Sequence, residues 1–63
     1  MKASRVEKRL RTLGFTLLAN RGKGSHRIDR HPDGRFVVVS DQHGEIPKGT
    51  LANIRRSIRP DRI

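Results

Sequence analysis

Phe36-Val37-Val38-Val39 is the longest unbroken apolar run in the chain, and it is the stretch that most restricts the fold. β-Branched side chains suit a pleated strand. The run is preceded by the turn-forming tetrapeptide His31-Pro32-Asp33-Gly34 and followed by Asp41, so Arg35 to Ser40 reads as a strand. Apolar residues at every position of the run predict a strand covered in part on both sides. A chain of 63 residues buries only roughly 60% of its unfolded surface. It is therefore expected to form one domain over residues 1–63 with one compact core.

The remaining elements group around that strand. Ala3, Val6, Leu10 and Leu13 recur at helical spacing, predicting a helix over Ser4 to Leu13 with Arg5, Lys8, Arg9 and Arg11 outward. Ser4 and Glu7 fit a capping box, and Gly14 is the expected stop. Phe15 to Asn20 reads as a first strand, with Phe15, Leu17 and Ala19 inward. A loop over Arg21 to Gly24 leads to a second strand, Ser25 to Arg30. Alternation places His26, Ile28 and Arg30 on one of its faces, and Ser25, Arg27 and Asp29 on the other. After a polar connection, Asp41 to Glu45, a second helix starts between Pro47 and Thr50 and carries the stripe Leu51, Ile54, Ile58. Pro60 ends it, and Asp61-Arg62-Ile63 is expected to be loose. The predicted class is α+β: an α-β-β-β-α two-layer sandwich, a three-stranded antiparallel sheet with both helices on one face, in the shape class of double-stranded RNA-binding domains.

Charge narrows the function. Fifteen Lys and Arg against six Asp and Glu give a formal net charge of +9. Arginine dominates the basic residues, favouring bidentate contacts to phosphate or carboxylate. A polyanion or an acidic protein is the expected partner. The chain has no cysteine, which excludes disulfides and thiolate metal sites. No apolar run is long enough to span a bilayer, and no signal peptide is recognisable, so a soluble, cytoplasmic protein is expected. With two Phe and neither Trp nor Tyr, base stacking on aromatic platforms is not the expected binding mode.

The chemistry concentrates at Gly22-Lys23-Gly24-Ser25-His26-Arg27. Glycines permit a tight turn and close approach to a ligand. Lys23 and Arg27 attract phosphate, loop amides at Gly24 and Ser25 can cradle it, and His26 can move a proton near neutrality. Should the His26–Ile28 face look toward the core, partial burial would keep the imidazole neutral, which suits a base. Ser25 reads as a loop hydrogen-bonder, His31 as a turn residue and His43 as a connection residue that can assist as an acid. Lys48, with Gly49 and Thr50, can either bind phosphate at a helix N-terminus or simply start the helix. No carboxylate cluster or zinc spacing is present, so neither a metal nor another cofactor is implied.

Four landmarks then occur in order: Leu13-Gly14-Phe15, Gly24-Ser25-His26, His31-Pro32-Asp33-Gly34, and His43-Gly44-Glu45-Ile46-Pro47-Lys48-Gly49-Thr50-Leu51 followed by Ile54. With them the chain resembles the HicA family, the toxins of type II toxin–antitoxin pairs, over almost its whole length. The resemblance implies a double-stranded-RNA-binding-like fold, an mRNA interferase activity, a catalytic histidine at His26, mRNA as substrate and a HicB antitoxin as partner. Family members often carry a proline and a basic residue before the His-Gly pair. Here Asp41-Gln42 stands there, and the acid is expected to weaken RNA contact locally. The competing reading is a non-catalytic RNA-binding module of the double-stranded-RNA-binding type. A DNA-binding module is disfavoured by the lack of a helix-turn-helix pattern.

Overall fold

A computed structural model describes residues 1–21 and 26–63, with the backbone alone for 19–21. The order is α1 (Ala3–Thr12), β1 (Thr16–Arg21), β2 (His26–Arg30), β3 (Phe36–Ser40) and α2 (Lys48–Ser57). The strands form an antiparallel sheet in the order β1-β2-β3. Ala3, Val6 and Leu10 of α1, Ile54 of α2 and Ile58 just past it, Phe15 and Ile46, and Val37 and Val39 of β3 form one buried cluster. Val37 and Val39 share a face of β3, so both helices cover the same side of the sheet. This is the α-β-β-β-α two-layer sandwich predicted above.

The ends of α1 show how backbone groups are satisfied. No side chain caps its N-terminus, and Glu7 is not used in a capping box. Instead the Ala3 amide donates to the Gly44 carbonyl at 2.8 Å, and Lys2 bridges to Glu45. Tertiary pairing thus supplies a partner that sequence reasoning assigned to Ser4. At the other end Gly14, with φ of 99°, donates to Arg11 O, and Phe15 donates to Leu10 O at 2.9 Å. This is the Schellman closure, which delivers Phe15 directly into the core.

The two remaining turns set the register. In His31-Pro32-Asp33-Gly34 the Gly34 amide donates to His31 O at 2.9 Å, the type I turn expected, and Gly34 then takes φ of 101°. The result pairs His26 with Ser40, Ile28 with Val38 and Arg30 with Phe36. Gln42 and Glu45 exchange both backbone hydrogen bonds around His43-Gly44, whose φ values of 53° and 82° define a type I′ turn.

Three expectations are corrected. β3 is covered on one side only: Val37 and Val39 are buried, whereas Phe36 is 62% exposed and Val38 is exposed with it. In β1 Leu17, expected inward, is 46% exposed although it pairs with the buried Asp29, and a bulge between Leu17 and Ala19 then breaks the alternation and leaves Leu18 exposed as well; the side chain of Ala19 lies outside the described residues. The C-terminal tail is held, not loose. Arg35 Nη1 donates to Ile58 O and, at 3.2 Å, to Arg59 O, pairs with Asp61 at 3.0 Å, and Ile63 packs on the core.

The covered face of β2 is polar. Arg27 and Asp29 point toward α1, where Arg27 Nε donates to Glu7 at 2.9 Å and Nη2 to Asp41 at 3.0 Å. Asp29 is 2% exposed, and its Oδ1 has no hydrogen-bond partner among the described residues. Burial, reinforced by the hydrogen bond and negative charge of Glu7, pushes its carboxyl up to about 7, against the pull of Arg27 and Arg11. A raised carboxyl is protonated in the folded chain at pH values where the unfolded chain has released the proton. Its stabilising contribution is therefore complete below about pH 4 and is lost as pH rises to about 7. Asp29→Asn should consequently gain stability relative to the parent between pH 5 and pH 8, by about 2 kcal/mol. Urea unfolding of both proteins at the two pH values checks this, and parallel pH curves would rule it out.

Candidate functional site

His26 is the first residue of β2 and stands exposed on the face of the sheet that no helix covers. The position follows from alternation: Arg27 and Asp29 point to α1, so His26, Ile28 and Arg30 point away. The partial burial considered for the ring is therefore not found. Its orientation comes from across the ladder, where Ser40 Oγ lies 3.0 Å from His26 Nδ1. A hydroxyl both donates and accepts. Ser40 can accept from a protonated Nδ1, leaving Nε2 with its lone pair outward, or donate to a bare Nδ1, leaving Nε2–H outward. One ring pose thus serves a base and an acid. Ser40 was missed by sequence reasoning, although the signal was there: counting back across the His31–Arg35 turn sets Ser40 opposite His26.

The other predicted residues are distributed differently. Lys23, Gly24 and Ser25 lie outside the described residues. Arg27, expected beside His26 as a phosphate ligand, lies on the opposite face of the sheet, bound to two carboxylates. A β-strand turns successive side chains to opposite faces, so neighbours in sequence cannot share a surface here. Lys48 is exposed at the first turn of α2, in the helical layer. Asp41 does not present its charge as a free acid: Oδ1 accepts from Arg27, and Oδ2 accepts the Gly44 amide at 3.0 Å, organising the turn that follows. His31 is structural. Its ring packs edge-on to Phe15 with centroids 5.1 Å apart, and its Nδ1 accepts the Asp33 amide at 3.1 Å. His43 is exposed in the type I′ turn, in the left-handed conformation that histidine tolerates better than most residues.

The open face has a uniform electrostatic character. All six acidic residues of the chain have places elsewhere. Glu7, Asp29 and Asp41 surround Arg27 on or beside the helical side. Asp33 and Asp61 pair with Arg35, and Glu45 with the N-terminal amine. Paired across β2 and β3, the open face offers His26, Arg30 and Ser40 around Ile28, Val38 and Phe36. The large exposure of Phe36 also alters the expectation about stacking, since one aromatic platform does stand on the histidine's own face. Among the described residues no group of three or more His, Asp or Glu is placed to hold a metal ion, and no helix is long and apolar enough to cross a membrane.

The profile of the family described as HicA toxin of bacterial toxin–antitoxin matches residues 3–59. No curated protein matches the chain.

Proposed function

This chain belongs to the HicA toxin family, the toxin side of a toxin–antitoxin pair, and we propose that it acts there as an endoribonuclease that cleaves mRNA through His26. The observation that carries the reading is the placing of His26: exposed, on a face without carboxylates among the described residues, with Nδ1 held by Ser40. RNA brings its own nucleophile. His26 Nε2 takes the proton of a 2′-hydroxyl, the 2′-oxygen bonds to the adjacent phosphorus, and the P–O5′ bond breaks. The 5′-oxygen leaves with a proton from solvent or a second acid, and the other fragment ends in a 2′,3′-cyclic phosphate. Lys23 and the amides of Gly24 and Ser25, adjacent to His26 in sequence, are suited to steady the charge that gathers on the phosphorane. Lys48, on α2, is a phosphate contact away from the reacting centre. The engagement of Arg27 with Glu7 and Asp41 gives it a supporting role instead.

The reaction needs no metal ion, because a proton-transferring imidazole and cationic groups cover its steps. The neutralising partner is a HicB-type antitoxin whose acidic surface meets the +9 charge and covers His26. A substrate carrying a single 2′-deoxyribose at the cleavage position tests the chemistry. It should be cut at least about 100-fold more slowly than all-ribose RNA, and the ribose product should carry the cyclic phosphate. Equal rates on both substrates would make water the nucleophile and remove the reading.

A further inference from the structure

The end of the open face remote from His26 has the features of a binding site of its own. Ser40 and Phe36 are four residues apart on β3, roughly 13 Å at about 3.3 Å per residue. The floor between them is Ile28 and Val38, paired across the ladder. Beyond it Phe36 is 62% exposed, and Arg30, its cross-strand partner, is exposed beside it. A hollow of about 340 Å³ adjoins them, lined by Thr16, Leu18, Arg30, His31 and Pro32. It sets apolar walls, including a 63% exposed Leu18, beside a guanidinium and a hydroxyl.

Folding alone does not account for so much apolar surface on one side of a 63-residue chain. The bulge in β1 exposes Leu18, and the register of β3 exposes Phe36. A phosphate backbone by itself has no use for an aromatic ring, whereas an unstacked base does. A base-paired duplex hides its base faces, and a duplex laid across the helices would lie behind the sheet from His26. The chain's positive charge and the carboxylate-free character of this face complement a polyanion.

We propose that the open sheet face is a track for single-stranded RNA, on which a base further along the strand from the cleaved junction, not the one adjoining it, stacks on Phe36 while Arg30 binds the phosphate that accompanies it. The assignment rests on the ribonuclease reading of His26 and adds a positioning subsite to it. Phe36 does not take part in bond breaking. It fixes which phosphate comes to rest at the imidazole, and it makes the reaction depend on the length of strand beside the cut.

The test is binding of a fluorescein-labelled single-stranded octaribonucleotide, followed by anisotropy, with His26→Ala as the parent so that no cleavage intervenes. Adding Phe36→Ala should weaken binding roughly tenfold, within the range of about 5- to 150-fold for one stacked base. Phe36→Tyr should restore it. Adding Arg30→Ala should weaken binding and flatten the salt dependence by about 0.7 in the slope of log affinity against log salt. The same octamer annealed to its complement should show no effect of Phe36→Ala. Unchanged octamer affinity in Phe36→Ala would overturn the track, as would a loss confined to the duplex. A loss confined to binding of the HicB-type antitoxin would also overturn it and make this face a protein-docking surface. Failure of the catalytic reading is seen separately, as absence of cleavage by the unmutated protein.

Discussion

His26→Ala is expected to slow RNA cleavage about 10²- to 10⁴-fold, the usual contribution of a positioned acid–base group. The imidazole is exposed, and among the described residues its Nδ1 meets Ser40 Oγ. Truncation therefore leaves no cavity and no buried polar atom without a partner, and stability should stay within about 0.5 kcal/mol of the parent. Affinity for RNA should change little, because phosphate contacts elsewhere supply most of it. The measurement is a single-turnover rate on labelled RNA, with an unfolding curve and an RNA-binding curve on the same preparation. Loss of rate with stability and binding retained identifies a chemical role. A variant that still cuts within a few-fold of the parent leaves the non-catalytic RNA-binding module as the better account of this site.

The second large effect is on stability. Arg27→Ala should destabilise the fold by roughly 2–4 kcal/mol, which is less than removal of one partner of a fully buried pair because part of the guanidinium still meets solvent. The guanidinium is the shared partner of Glu7 and Asp41, at 2.9 and 3.0 Å, and it lowers the cost of the buried Asp29. Removing it leaves acidic groups crowded beneath α1 with their cation gone. In a domain this small the midpoint of thermal unfolding should fall by roughly 10–25 °C. Removing the acids as well, with Glu7→Gln and Asp41→Asn, should recover much of the loss, since the penalty comes from charge left uncompensated. If Arg27→Ala melts like the parent but no longer cleaves RNA, its sequence-level assignment as a phosphate ligand is the correct one. The structure favours the opposite outcome, in which cleavage by the variant falls only as far as its folded fraction falls.

Arg27 illustrates a conflict the sequence already holds, since alternation sets it across the strand from His26 while the motif groups the two. In sequence it touches His26, and the pair read together as a reactive motif. In space the pleat separates them by the thickness of the sheet, with the arginine inside the helical layer and the histidine outside it. Ser40 is the converse, fourteen residues from His26 and bonded to its ring. Its position was computable from the His31–Gly34 turn, but only by carrying the register through the hairpin. Asp41 was read as a local acid that opposes RNA, yet half of its carboxylate holds Arg27 and the other half holds a turn amide.

Periodicity and turn chemistry were enough, taken from the sequence alone, to determine the order of the elements, the stripes of both helices, the Gly14 stop and the type I turn that pairs β2 with β3. These are local properties: 3.6- and 2-residue repeats and backbone angles are set by near neighbours along the chain. Only the tertiary structure decided which face of each strand is covered. An alternating pattern has two faces but no label for inside, and β2 carries an arginine and an aspartate where apolar residues would be looked for. The choice falls to the packing of α1 and α2 on Val37 and Val39, which draws Arg27 and Asp29 in with them. The same choice turns His26, Arg30 and Phe36 outward to the surface assigned here to RNA.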